Sequence, residues 1–258
     1  MMSLNTLIFD VDGTLADTER DGHRPSFNLA FQEFGLDWEW TVPLYGELLA
    51  VTGGKERIRH YVAHYHPEQL SDIHFDELVL QLHQSKTRHY LALLEKGAIP
   101  LRPGVRRLLH EARQAGLTLA IATTTTPENV ASLLSTALGP ESPGWFKVIA
   151  AGDIVSAKKP APDIYLWTLD ALGISAQEAL AFEDSENGLR SACAAGLTTL
   201  VTINEYTQGQ DFSGAGAVLS DLGEPHQPYA LYQGALPPAG WVDLDLCRRM
   251  ATIDPARE

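Results

Sequence analysis

Cysteine is nearly missing from this 258-residue chain: Cys193 and Cys247 are the two it has, and neither belongs to a CxxC or Cys/His cluster. That excludes a disulfide framework and a thiolate metal centre, and it implies a reducing compartment. No run of about 18 apolar residues is present to span a membrane. The first residues pass into an apolar stretch without the basic and apolar regions of a secretory leader, so the expected location is the cytoplasm, or the plastid if a transit peptide has been removed. Positive charge is also short, with 19 Lys and Arg against 33 Asp and Glu for a net charge of −14. Nucleic acid and anionic membrane are therefore excluded as partners, and an anionic substrate would need a few local cations to overcome the overall field. A hydrophobic content of 45% gives the chain enough to bury a sizeable core, as one large domain or one domain with an insert.

What is present is concentrated near the start. Residues 9–18 read FDVDGTLADT and follow the apolar run Leu7, Ile8, Phe9. A strand running through this stretch puts Asp10 and Asp12 on one face, because alternate strand positions share a face. Gly13 permits a sharp turn, and Thr14 adds a hydroxyl and an N–H suited to an anion. An acidic pocket of this kind fits a solvated turn, a calcium loop or a magnesium-dependent phosphoryl-transfer site. The EF-hand pattern needs further oxygen ligands and a closing Glu between two helices, whereas here an apolar strand comes first.

The next strong strand, residues 117–122, comes more than a hundred residues later, too far for a loop. Between the two, apolar residues recur at helical spacing: Phe27, Ala30, Phe31 and Phe34, then Ile58, Tyr61, Val62 and Tyr65, then Leu78, Leu82, Tyr90, Leu91 and Leu94. Residues 18–98 are accordingly expected to form an inserted helical cap, with Pro100 and Pro103 marking the return to the main domain. From there helices over 104–115, 127–138, 161–172 and 185–195 alternate with strands at 117–122, 147–151, 179–183 and 198–202. Strands apolar on both faces and separated by helices imply an α/β fold, a Rossmann-like parallel sheet. The expected division is a core of 1–17 and 99–223, the cap of 18–98, and a C-terminal extension of 224–258 with no legible motif, whose residues 241–250 dock as an edge strand or helix.

Ligands of open parallel sheets bind at the carboxyl ends of the strands. Those ends carry Asp10 and Asp12; the threonines 123–126; Lys158 and Lys159 ahead of a helix; and Glu183 with Asp184. Each group alone has a bland reading, as a strand end, a surface lysine or a helix cap. Together they supply hydroxyls and N–H groups for phosphate oxygens, a cation to neutralise them, and paired acids for a hard divalent ion. In the cap, VTGGKERIRH joins Gly53 and Gly54 to Lys55 and Arg57 at a loop-to-helix junction, where N–H groups and cations can grip a second phosphate.

In order, these segments resemble the four motifs of the haloacid dehalogenase superfamily: FDVDGTLADTE, LAIAT ending at Thr123, Lys159, and FEDSENG. AKKPAPDIY and EDSENGL are similar to its β-phosphoglucomutase and phosphatase branch. TGGKERI, HQSKT, LRPGV and AAGD resemble the CbbY group of xylulose-1,5-bisphosphate phosphatases. Against that pattern the stretch from Glu19 to His23 is one residue longer. The resemblance implies a monomeric Mg²⁺-dependent phosphatase acting through an aspartyl phosphate on a small phosphorylated sugar, converting xylulose 1,5-bisphosphate to xylulose 5-phosphate. It makes Asp10 the nucleophile and Asp12 the proton donor and acceptor. Thr123, Thr124 and Thr125 hold the transferring group, Lys159 neutralises it, and Asp10, Asp184, the Asp12 carbonyl and, from an outer position, Glu183 hold Mg²⁺. Glu19, His23, His83 and Lys86 would bond sugar hydroxyls. An ordinary aspartate, with a pKa of about 3.9, is ionised at neutral pH and needs no base. Its obstacle is repulsion, about 4 kcal/mol per charge pair at 4 Å for an effective dielectric of 20, which a cation and a lysine must offset. A phosphomutase of the β-phosphoglucomutase kind shares every one of these groups, and a catalytically silent binding protein would lack one of them.

Overall fold

The computed structural model describes residues 4–51 and 53–252, which divide into two compact units, Thr18–Ile99 and the remainder. Thr52 of the TGGKERI stretch and residues 253–258 of the expected extension lie outside the described residues. Residues 18–99 are helical. After β1 (Thr6–Phe9) the chain enters a π-helix over Glu19–His23 and then α1 (Arg24–Glu33), α2 (Val42–Leu48), α3 (Gly54–Tyr65) and α4 (Phe75–Glu95). In the π-helix the Arg24 N–H bonds the Glu19 carbonyl five residues back, a geometry that can accommodate one extra residue within a helix. Phe27, Ala30 and Phe31 are buried as their spacing predicts, while Phe34 ends α1. They pack on Trp40, fully buried, whose ring centroid lies 4.5 Å from Phe27 and 5.1 Å from Phe31.

The other unit is a single sheet with helices. Its remaining elements are α5 (Val105–Gln114), β2 (Thr118–Ala122), α6 (Pro127–Leu138), β3 (Phe146–Ala150), α7 (Asp163–Leu172), β4 (Ala179–Glu183), α8 (Glu186–Ala194), β5 (Thr198–Thr202), β6 (Ala217–Leu219), β7 (Tyr229–Gln233), β8 (Ala239–Gly240) and α9 (Leu244–Ala251). The strand order is β3-β2-β1-β4-β5-β6-β7-β8. β1 is therefore central, with Phe9 in register with Ile121 on one side and Phe182 on the other. Leu7, Ile8 and Phe9 are fully buried, as strands covered on both faces require.

The six strands within residues 1–223 pair parallel, as expected, and the sheet continues into the C-terminal segment, where β7 and β8 pair antiparallel. There β7 covers the edge that the three-residue β6 would leave open, and α9 buries Leu244, Leu246, Cys247 and Met250. Arg107 fastens this segment, donating from Nε to Glu224 Oε2 at 3.1 Å, from Nη1 to the Val242 carbonyl at 2.9 Å and from Nη2 to the Gly223 carbonyl at 2.7 Å.

Candidate active site

β1 stops at Phe9, so Asp10 and Asp12 lie on the loop that follows it and not on one strand face. The Asp10 N–H still bonds the Phe182 carbonyl at 3.0 Å, fixing that residue at the sheet edge. The loop then closes on itself. Thr14 and Leu15 donate to the Val11 carbonyl, and Gly13 donates to the Ala16 carbonyl at 2.8 Å. Gly13 has φ +84°, and a Cβ there would stand 2.1 Å from Asp184 Oδ2. Glycine is required on both counts, and its absent side chain lets the first acidic loop touch the last.

Lys159 joins the strand ends. Its Nζ donates to Asp10 Oδ1 at 2.7 Å, to Glu183 Oε1 at 2.6 Å and to the Ala122 carbonyl at 3.0 Å, from a side chain 9% exposed. Burial alone lowers a lysine's pKa. Here the Asp10 and Glu183 carboxylates outweigh it and hold the ammonium above its ordinary value of 10.5. Glu183 is pushed up to about 7 by burial and by Asp10, against the pull of Lys159. Burial, then Asp10 and Glu183, raises Asp184 well above its ordinary value.

Asp10, Glu183 and Asp184 each offer a carboxylate oxygen, all within 4.8 Å of one another, and all three residues are buried. Three acids around one ammonium leave an excess of negative charge and a set of hard oxygen donors, which fits Mg²⁺. Within the set Glu183 is the most engaged: Oε1 already accepts from Lys159 and from the Tyr165 hydroxyl at 2.5 Å, and Oε2 accepts the Asp184 N–H at 3.3 Å.

Thr123 follows β2 directly, is 1% exposed, and donates its N–H to the Ala150 carbonyl at 2.9 Å. Its Oγ1 accepts the Thr125 N–H at 3.3 Å, Thr124 is exposed, and Thr126 caps α6. Lys158 turns away from the acids, to the Gly152 carbonyl and Asp153.

The helical unit gathers its own residues. Gly53, with φ +96°, precedes α3 and gives it no side-chain cap. Lys55 is half-buried, and Gly54 lies so close to His83 that a Cβ would sit 2.8 Å from the ring. Arg57 is 8% exposed and directed inward: Nε donates to the Leu48 carbonyl at 3.1 Å, Nη2 to the Val51 carbonyl at 3.2 Å and Nη1 to the Tyr45 hydroxyl at 3.0 Å. Tyr45 in turn donates to Glu19 Oε2 at 2.5 Å. The His23 Nδ1 accepts a hydrogen bond from Lys86 Nζ at 2.9 Å, and its ring stacks on Tyr90.

Burial and then Lys86, Arg57 and His83 hold His23 well below its ordinary value of 6.5, so the ring is neutral and accepts from Lys86. Burial, Lys86 and Lys55 lower His83 as well. Between its folded value and 6.5 the folded protein carries fewer protons on His23 than the unfolded chain. The stability this ring contributes is therefore complete above pH 6.5 and lost as the pH falls below it. Lys86→Met is expected to move the His23 titration upward toward 6.5, read by NMR of the ring protons.

Three supporting residues escaped the sequence reading. Tyr165, fully buried, bonds Glu183 and lies under Lys159; its one signal is its place six positions after that lysine in KPAPDIY. Asn204, whose Nδ2 donates to Asp184 Oδ2 at 2.7 Å, has no signal at all. Gly188 in α8 leaves room for Glu183, since a Cβ would fall 1.8 Å from Oε2. Gly188→Ala is thus expected to lower stability by about 1–3 kcal/mol, the usual cost of overpacking a well-filled site. Phosphatase activity should fall with it, checked by thermal unfolding alongside phosphate release.

A loop bearing Asp10 and Asp12 after the central strand, a lysine between carboxylates and a helical insert define a class, and the family model of the haloacid dehalogenase-like hydrolases matches residues 4–196. The chain belongs to that family of hydrolases. Within it the chain falls in the CbbY group. It is 48% identical over 247 residues to the plasmid-borne protein CbbY of Cupriavidus necator, covering 95% of this chain and 96% of that one. The crystal structure of the D10N mutant of CbbY from Rhodobacter sphaeroides, in complex with xylulose-(1,5)bisphosphate, is 42% identical, with a TM-score of 0.73 over 86% of this chain and 96% of that chain. A putative β-phosphoglucomutase from Thermotoga maritima matches at 25% identity and a TM-score of 0.64, over 80% of this chain and 88% of that chain. No helix among the described residues is long and apolar enough to cross a membrane.

Proposed function

We propose that this chain is a Mg²⁺-dependent phosphatase that removes one phosphate from xylulose 1,5-bisphosphate to give xylulose 5-phosphate. The observation that carries the reading is the Lys159 ammonium held 2.7 Å from Asp10 and 2.6 Å from Glu183, beside Asp184. Mg²⁺ bound to Asp10, Asp184 and the Asp12 carbonyl, with Glu183 behind them, supplies positive charge for the phosphoryl oxygens. The chain's own residues do the rest. The Asp10 carboxylate attacks phosphorus, forming an Asp10–phosphoryl bond as the bond from phosphorus to the sugar oxygen breaks. Asp12, starting protonated, gives that oxygen its proton. It then takes a proton from the water that attacks the aspartyl phosphate, releasing phosphate and restoring Asp10. Lys159, a permanent cation, opposes the repulsion between Asp10 and the substrate, while the Thr123 hydroxyl and the N–H groups of Thr124 and Thr125 hold the transferring oxygens.

Recognition of the second phosphate falls to the helical unit. Gly53 and Gly54 expose the first N–H groups of α3, and Lys55, Arg57 and Lys86 set up a positive field there, the same field that depresses His23 and His83. Glu19, His23, His83 and Lys86 bond the sugar hydroxyls. In this reading the protein acts as a monomer. It works in the cytoplasm or the plastid, in keeping with its two free thiols.

Phosphate release across xylulose 1,5-bisphosphate, ribulose 1,5-bisphosphate, phosphoglycolate and glucose 1-phosphate tests this, with Asp10→Asn as control. The xylulose bisphosphate is expected to be turned over fastest. Equal rates on all four would remove the bisphosphate assignment, and an isomerised sugar phosphate without free phosphate would mark a phosphomutase.

A further inference from the structure

We propose that Asn204 is a positioning residue for Asp184, fixing one oxygen of that carboxylate so that the other is presented to the divalent ion. The inference rests on the Mg²⁺-dependent phosphatase reading and adds a residue to it.

The turn after β5 determines which way the Asn204 amide points. Its Oδ1 accepts the Tyr206 N–H at 2.9 Å, so the amide oxygen is spent on backbone. Its N–H donates to Thr207 Oγ1 at 3.0 Å, and its carbonyl accepts the Thr207 N–H at 3.1 Å. Only Nδ2 is left to face the site, and it meets Asp184 Oδ2 at 2.7 Å. Gly13 leaves room beside this bond, since a Cβ there would be 2.1 Å from Oδ2 and 2.7 Å from Asn204 Nδ2.

The base of the turn is clamped to the loop that carries Asp10 and Asp12. Arg102, 8% exposed, donates from Nη1 to the Gly13 and Thr202 carbonyls, and from Nη2 to those of Ile203 at 2.6 Å and Ser220 at 2.7 Å. Its Nε lies 3.3 Å from Asp17 Oδ1. Residues 202–204 and the Gly13 loop therefore hold a fixed spacing, and the Asp184 carboxylate lies against both. An outer partner of a metal-binding carboxylate typically governs about 10–100-fold in metal affinity.

Mn²⁺ binding to the full chain, followed by calorimetry and by loss of the free-ion EPR signal with no substrate present, tests this. Asn204→Ser retains a short oxygen for the Tyr206 N–H but cannot reach Asp184. Asn204→Ala removes both bonds. Thr207→Val loosens the turn while leaving the amide in place. Both Asn204 variants are expected to bind Mn²⁺ about 10–100-fold more weakly, with Thr207→Val near the wild type, and saturating Mg²⁺ should restore most of kcat to Asn204→Ser. Wild-type affinity in Asn204→Ser, or an equal loss in Thr207→Val, would overturn the proposal. A wild-type protein that binds Mn²⁺ but releases no phosphate would instead overturn the phosphatase reading and leave this result standing.

Discussion

Asp10→Asn is expected to lower phosphate release by at least about 10⁴-fold, since the step it removes has no substitute among the neighbouring groups. Lys159 is already an ammonium, and Glu183 is occupied by Lys159 and Tyr165. The fold should not suffer. Asparagine keeps an oxygen for the Lys159 Nζ and takes one negative charge out of a cluster of three buried acids, so the unfolding temperature should hold or rise. A variant that keeps appreciable turnover would mean that another group attacks phosphorus. One that unfolds would mean that Asp10 is structural first.

Lys159→Met is expected to damage both activity and stability, and to do so in a pH-dependent way. Losing one partner from a buried ion pair typically costs about 3–5 kcal/mol, because the charges left behind are uncompensated. Here those charges are Asp10 and Glu183, each within 2.7 Å of the lost ammonium. Without it the Glu183 carboxyl is raised further, and the folded state binds more protons than the unfolded chain. The destabilisation is then fully present at high pH and relieved as the pH falls through the folded values. Glu183 stands at about 7 even with Lys159 beside it, so the relief should begin above neutrality. Unfolding temperatures in chelator should show a deficit larger at pH 8 than at pH 6. Phosphate release should drop by about 10³-fold or more at either pH, since the variant has lost the cation facing the developing charge. An unchanged unfolding temperature at pH 8 would mean that the lysine balances no buried charge.

The chemistry of the site was legible because a parallel sheet brings the carboxyl ends of its strands to one edge. Asp10, Thr123, Lys159 and Glu183-Asp184 are far apart in the chain, yet each follows a strand or precedes a helix, and the alternation of elements implies their meeting. The supporting contacts were not legible, for a different reason. Asn204 sits in a polar turn after β5 like many others, and only the Oδ1 bond to Tyr206 turns its amide toward Asp184. Arg102 lies within LRPGV, where the pattern gives it no role, but its hydrogen bonds run to carbonyls from residue 13 to residue 220. Arg57 was read as a phosphate ligand by its place after two glycines, and most of its donors go to Leu48, Val51 and Tyr45.

The same limit applies to the tail. A three-residue strand such as β6 has too few positions to show an alternation, and β7 has one buried residue, Tyr229, among exposed ones. Its place in the sheet is set by pairing with β6 and by the Arg107 bonds, which periodicity does not encode. In β1 the reading erred in the opposite direction. Asp12 follows Asp10 at strand spacing, but the Val11 carbonyl collects the N–H groups of Thr14 and Leu15, and the chain has already left the strand.

The covalent step can be observed directly. Rapid mixing of the Mg²⁺-loaded protein with xylulose 1,5-bisphosphate, acid quenching within one turnover and mass analysis of the peptides should find a phosphoryl group on Asp10, absent from Asp10→Asn. A phosphoryl group on any other residue, or phosphate released at full rate with no adduct at any time point, would contradict the account.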